Sequence, residues 1–292
     1  MRSIAKLMKD WQFTGPDGVT AAVALPHTWN AVDGQDGGND YWRGTCTYRT
    51  SFAAPAFDPE QQQVWLQFEG VNSSAAVLLN GQQLCTHDGG YSTFRAEITG
   101  LLQAENQLAV QVDNSVNDRV YPQKADFTFY GGIYRDVSLL VVNKNHLALD
   151  YLGGPGVKIT PDLKEGSADI QVETLVEGEG IVVVELLDAE GSTVAKGEGS
   201  KASLHLDAPH LWNGVKDPYL YTCVVRLMQD GKPVDEVTTK VGIRSFSVDA
   251  KKGFFLNGKP YPLHGVSRHQ DRKGLGNAIT REMHDEDMTL IR

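Results

Sequence analysis

The chain has 292 residues, of which 41% are hydrophobic and 22% charged, and it carries a net charge of −10. That balance suits a globular protein of two domains plus part of a third, and its acidity argues against a nucleic-acid or anionic-membrane partner, both of which need Lys/Arg patches. No apolar run approaches the roughly 20 residues of a membrane span, and the N-terminus lacks the apolar stretch of a signal peptide, so the expected setting is the cytoplasm.

From residue 1 to about residue 143 the pattern is antiparallel β. Short runs rich in β-branched and aromatic residues alternate with turn signals: Val64–Phe68, Ala75–Leu79 and Gln107–Val112. Asn80-Gly81, between two apolar runs, predicts a two-residue hairpin whose central positions both need positive φ. Helical periodicity is absent here, and a two-sheet sandwich is the natural packing for so many short strands. The cluster Gly153-Gly154-Pro155-Gly156 reads as a turn or link. Beyond it, to about residue 248, the same style returns. Ala168–Thr174 alternates with period two, Ile181–Leu187 is apolar, and Tyr219–Leu227 runs into the turn Asp230-Gly231. About seven such strands suit an immunoglobulin-like sandwich.

After Gly253 the pattern changes. Phe254–Val266 reads as a hairpin feeding a short apolar strand, followed by the polar cluster Ser267–Asp271. A helix is expected from about Thr280, a suitable N-cap, with Glu282, Asp285, Glu286 and Asp287 favoured by the helix dipole. Met283, Met288 and Ile291 form a narrow apolar stripe, and no C-cap precedes the end. A strand, a loop and a helix make one βα unit, which cannot bury its own faces. The chain is therefore expected to be the front portion of something larger. The cysteines, Cys46, Cys85 and Cys223, are far apart and odd in number, which predicts free thiols rather than a disulfide framework or a zinc site. No phosphate loop, dinucleotide fingerprint, nucleophile elbow or H-E-x-x-H motif is present.

Three groups of residues, in order along the chain, resemble glycoside hydrolase family 2, and within it the β-galactosidases. The first is Leu25–Asn30 with Asn39–Gly44 and Tyr48-Arg49. The second is Gly132–Leu139. The third runs from Leu211-Trp212 and Asp217–Tyr221 through Val241–Arg244 into Phe255–Pro260 and Gly265–His269. The resemblance implies a mainly β chain in three parts. These are a jelly-roll sugar-binding sandwich over residues 1–145, an immunoglobulin-like sandwich over 146–250, and the first βα unit of a truncated (β/α)8 barrel over 251–292. It implies a retaining exo-β-galactosidase acting on terminal β-D-galactosides. Such an enzyme uses two carboxylates about 5–5.5 Å apart as acid/base and nucleophile. In the family both are glutamates on later barrel strands, so this stretch alone is expected to be inactive and to hold no catalytic residue.

The same resemblance assigns substrate-binding roles to Asp126, His269 and Asn39. Asp126 matches a jelly-roll aspartate that reaches the sugar hydroxyls and, in some members, a sodium ion; a carboxylate suits both because charge-assisted bonds are the strong ones. His269 follows the first barrel strand, at the end where barrel enzymes build their sites. Asn39, with Asp40 beside it, lies where the family places a loop asparagine. Arg268 is expected to make salt bridges with later barrel strands. His27 and Trp29 are expected in the sandwich framework, one tying down a loop and the other filling core, and Trp212 in the packing of the second sandwich. No cofactor is expected within these residues, and sodium or magnesium belongs to the complete enzyme, itself expected to be a homo-oligomer. Two other readings remain: a non-catalytic carbohydrate-binding module, and the same family with β-glucuronidase or β-mannosidase specificity.

Overall fold

The computed structural model describes residues 1–33, 41–122, 127–151 and 153–292. Strands dominate, joined by two short 3-10 turns and one α-helix, α1 (Arg281–Ile291), among the described residues. The chain divides into two compact units. The first comprises Ser3–Val141 and Arg268–Arg292; the second comprises Met1–Arg2 and Val142–Ser267.

In the first unit, two sheets form a sandwich-like pair. The larger has the strand order Thr20–Val23, Trp11–Thr14, Thr45–Ala53, Glu105–Asp113, Ser74–Leu79, Gln82–Asp88. The smaller has the order Ser3–Lys6, Val137–Asn143, Gln62–Phe68, Phe94–Glu97. Alternation decides which side chains meet. Cys46, Tyr48, Thr50 and Phe52 point inward from one strand, and Asn106, Leu108, Val110 and Val112 from its neighbour. Tyr48, Phe52, Leu108, Val110 and Val112 join Trp11, Leu66, Phe68, Val77 and Leu79 in one core. The Asn80-Gly81 turn forms as its residues predict, with φ of 51° and 82°.

The second unit repeats the plan at smaller scale. A sheet ordered Val157–Leu163, Ser167–Thr174, Lys201–Asp207 shares a core with one ordered Thr193–Glu198, Ile181–Leu187, Tyr221–Gln229, Lys232–Val241. Ile170, Val184, Leu186, Leu204 and Leu227 are fully buried there. Asp230-Gly231 closes its predicted hairpin with φ of 48° and 73°. Trp212 is half-buried beneath the Arg244 guanidinium, 4.9 Å from ring centroid to Cζ. The cysteines are free; burial pushes the Cys46 thiol up to about 12 and the Cys223 thiol up to about 11. Among the described residues no helix is long and apolar enough to cross a membrane.

The expected βα unit after Gly253 is only partly present. The hairpin forms, with Gly253–Leu256 against Lys259–Pro260 and Phe246–Asp249 on the other side. The apolar strand expected to end at Val266 does not: residues 261–269 have no ladder, and Leu263 and Val266 are 70% and 69% exposed. A parallel barrel strand takes its hydrogen bonds and its two apolar faces from neighbouring strands and helices, and no described residue supplies them. Helix α1 does form, with Thr280 at its N-cap in extended conformation, although the threonine side chain makes no capping bond. Its Met283–Met288–Ile291 stripe is not packed. No residue of α1 is buried, and Met288 and Ile291 are 48% and 46% exposed.

Two buried polar groups brace the units. In the second unit Asp235 is fully buried. Arg2 grips it with Nε to Oδ1 at 2.7 Å and Nη2 to Oδ2 at 2.6 Å, and the Leu147 amide donates to Oδ2 at 2.8 Å. Breaking one partner of a buried pair leaves an uncompensated charge. Asp235→Ala is therefore expected to lower stability by about 3–5 kcal/mol in urea unfolding, and Arg2→Met with Asp235→Leu to recover most of that loss.

In the first unit His27 Nδ1 lies 2.7 Å from the Tyr48 hydroxyl, which the Ile133 amide also binds. Burial lowers the His27 pKa to about 4 from its ordinary 6.5. The unfolded ring takes a proton near pH 6.5, the folded ring only near pH 4. His27's contribution is thus complete above pH 6.5 and falls as pH drops toward 4, by roughly 3 kcal/mol in all. His27→Gln is expected to flatten that limb when unfolding free energy is measured from pH 7 to 4.

Candidate functional site

One wall of the candidate site is a stretch without ladder bonds, Phe127–Gly131. Irregular backbone at the edge of a core must find partners for its amides and carbonyls, and here side chains supply them. Thr28 Oγ1 donates to the Gly131 carbonyl at 2.7 Å, and Asn72 Nδ2 to the Tyr130 carbonyl at 2.8 Å. Asn114 Nδ2 donates to the Phe129 carbonyl at 3.0 Å and to Asn30 Oδ1 at 3.1 Å. Asn30 Oδ1 also accepts from the Gly131 amide at 2.8 Å. Thr28, Asn30, Asn72 and Asn114 are all buried. Trp29 stacks on Phe13, and a Cβ at Gly131 would fall 2.0 Å from its ring, so only glycine fits there. His27 and Trp29 are framework, as expected.

The facing wall is the loop at residues 268–273, fastened from both sides. Tyr130 Oη donates to Asp271 Oδ2 at 2.9 Å. Arg135 of the Gly-Ile-Tyr-Arg-Asp stretch donates to Gln270 Oε1 at 3.2 Å and to the Asn277 carbonyl at 2.9 Å. Gly276 (φ 55°) lies against the Tyr130 ring, where a Cβ would sit 2.7 Å from Cε1. From the helix side, Arg268 Nε donates to Asp287 Oδ2 at 2.9 Å and Arg272 Nη2 to Asp287 Oδ1 at 2.6 Å. Arg272 Nη1 also reaches Glu286 Oε2 at 2.8 Å. Arg268 makes its salt bridge here with α1; the later barrel strands expected as its partners are not among these residues. Its bonds, with those of Arg272, hold the Asp287 carboxyl below the usual carboxylate range. Arg268 Nη1 donates to His284 Nδ1 at 3.1 Å, and burial, together with the cations Arg135 and Arg268, lowers the His284 pKa.

Between the walls is an open cleft of about 560 Å³, lined by Phe127, Thr128, Tyr130, His269, Asp271, Arg272 and Lys273. That is the size range of small-ligand sites. Its polar groups suit a polyhydroxylated ligand: imidazole, carboxylate and hydroxyl beside aromatic surface. His269 is exposed and hydrogen-bonds to no described residue. Of the residues singled out in the sequence, His269 is in this cleft, whereas Asn39, Asp40 and Asp126 lie outside the described residues. Asp126 directly precedes Phe127 in the chain. The sodium site attached to Asp126 therefore has no described ligand, and among the described residues no group of three or more His, Cys, Asp or Glu converges. Tyr130, Asp271, Arg272 and Asp287 escaped the sequence reading as site residues. Asp271 entered it only as part of a polar cluster and Asp287 only as an acidic residue of the helix, and the partners lie up to 141 positions apart.

The profile of glycosyl hydrolases family 2 matches residues 155–244, and that of the glycosyl hydrolase 2 galactose-binding domain-like region matches residues 37–148. The chain is 37% identical to a β-glucuronidase of Bacteroides fragilis, over 98% of this chain and 44% of that protein. It is 31% identical to a β-galactosidase of Bacteroides ovatus, over 97% of this chain and 36% of that protein. Among solved structures, an FMN-binding β-glucuronidase from Facaelibacterium prausnitzii superposes with a TM-score of 0.95 at 39% identity, over 100% of this chain and 47% of that one. The chain belongs to glycoside hydrolase family 2 and corresponds to its N-terminal portion. It spans less than half the length of each of these relatives.

Removing the Tyr130 hydroxyl frees one carboxylate oxygen of Asp271, and a hydrogen bond to a charged group is worth about 1.5–3 kcal/mol. Tyr130→Phe is expected to raise amide hydrogen exchange at residues 269–273 by about tenfold or more, with exchange in the strand Glu105–Asp113 unchanged.

Proposed function

We propose that this chain is the N-terminal part of a retaining exo-β-glycosidase. In this reading it comprises a jelly-roll sandwich, an immunoglobulin-like sandwich and the opening of a (β/α)8 barrel, and the cleft at His269 is one side of the subsite for the terminal sugar. The observation that carries the reading is the presentation of His269, exposed in a polar and aromatic cleft whose two walls are held by buried or charged partners. In this reading His269 donates to or accepts from a sugar hydroxyl, and Asp126 and Asn39 complete the shell. The acid/base and nucleophilic carboxylates come from barrel strands outside these residues, so this chain alone does not turn over substrate. Any sodium or magnesium requirement, like oligomer formation, belongs to the complete enzyme.

The preferred substrate class is terminal β-D-glucuronides, supported by the names of the Bacteroides fragilis and Facaelibacterium prausnitzii proteins and by Lys273 in the cleft beside His269. A second reading, terminal β-D-galactosides, is supported by the motifs at residues 39–44 and 265–269 and by the Bacteroides ovatus relative. Nitrophenyl β-D-glucuronide, β-D-galactoside and β-D-mannoside assays of the complete enzyme separate them. The glucuronide is expected to give the highest kcat/KM, preference for the galactoside selects the second reading, and hydrolysis by this chain alone contradicts the assignment of the carboxylates. Calorimetry tests the binding-module alternative: sugar binding by this chain tighter than about 1 mM, roughly −4 kcal/mol, would favour it, because one side of a shared subsite should bind weakly.

A further inference from the structure

The loop that carries His269 is tied at each neighbouring position. Arg268 is held by Asp287 and His284, Gln270 by Arg135, Asp271 by Tyr130, and Arg272 by Asp287, Glu286 and the Met283 carbonyl. His269 alone among these five hydrogen-bonds to no described residue, and it faces the cleft. Two of the ties converge on one side chain. Asp287 accepts from Arg268 on Oδ2 and from Arg272 on Oδ1, so a single carboxylate bridges the residue before His269 and the residue three after it. A planar carboxylate held on one oxygen by the Arg268 fork and on the other by Arg272 Nη2 fixes both distance and orientation, and therefore sets the span of the loop between them.

We propose that Asp287 is a positioning residue for His269, acting through Arg268 and Arg272 to set the loop that presents the imidazole to the terminal sugar. Packing does not explain the carboxylate's place. Helix α1 buries no residue, and its ties to this loop are the guanidinium bonds of Arg268 and Arg272. The side chain of Asp287 is spent on the loop, and the helix serves as the frame from which it reaches. The proposal rests on the reading of the cleft as a sugar subsite.

The test uses the chain labelled at histidine Cε1, with the His269 ring signal assigned by His269→Gln and the His284 signal as an internal reporter of the Arg268 contact. In Asp287→Asn both ring signals are expected to shift, and in Asp287→Glu the His269 signal is expected to return most of the way to its original position. Leu290→Ala changes α1 at a side chain that is 82% exposed while keeping a strong helix former, and is expected to leave His269 in place. The proposal is overturned if Asp287→Asn moves His284 and leaves His269 unmoved, or if Leu290→Ala displaces His269 as far as Asp287→Asn does. Should Asp287→Asn not fold, Arg272→Lys, which keeps the charge and loses the fork, decides by the same comparison. Titrating D-glucuronate and D-galactose into the unmodified chain reads the subsite separately. A His269 signal that responds to Asp287→Asn but to neither sugar removes the sugar assignment and keeps the positioning role.

Discussion

The candidate site depends on how an irregular backbone is kept in place at the rim of a β-sandwich. Phe127–Gly131 has no strand neighbour to satisfy its amides and carbonyls, and leaving such groups unpaired in a buried setting costs about 1–3 kcal/mol each. Thr28, Asn30, Asn72 and Asn114 satisfy them instead. They come from three separate parts of the chain, Thr28 and Asn30 from one stretch, so the wall of the cleft is an end product of the whole sandwich. Amide side chains suit the task because each offers donor and acceptor together. Asn30 uses both, accepting from Gly131 and Asn114 while donating to the Trp42 carbonyl at 2.9 Å.

The facing loop is held differently. Its ties are mainly charged: Arg135 to Gln270 and the Asn277 carbonyl, Arg268 and Arg272 to Asp287. These pairs are half-exposed, and such pairs are individually weak. Their effect comes from sharing partners, with one carboxylate serving two guanidinium groups. The two walls meet through one contact that belongs to both, the Tyr130 hydroxyl on Asp271. A neutral donor on a carboxylate joins the network of buried amides to the network of surface ions.

Much of the architecture was legible in the residues. Asn80-Gly81 and Asp230-Gly231 marked hairpins that form with the expected positive φ. The alternation in Ala168–Thr174 marked a half-buried strand, and Ala168, Ile170 and Val172 are indeed its buried side. His27 and Trp29 were assigned to the framework and are found there. The strand expected up to Val266 was misjudged, because an apolar run states a preference for burial but cannot provide the neighbours that would bury it. The stripe Met283–Met288–Ile291 forms on α1 and is left unburied, as expected of a βα unit that cannot bury its own faces.

By itself, the sequence determined the β character, the placement of turns and the family, and it singled out His269, which the structure places in the cleft. These rest on signals local in the chain: period-two alternation, turn chemistry and short motifs in order. Only the tertiary structure decided that Arg268 serves α1, that Tyr130 and Asp271 close the cleft, and that buried amides hold its wall. Those contacts join residues 19, 141 and 84 positions apart, and a hydrogen bond at that separation leaves no periodic trace, because its geometry exists only once the sheets have brought the partners together.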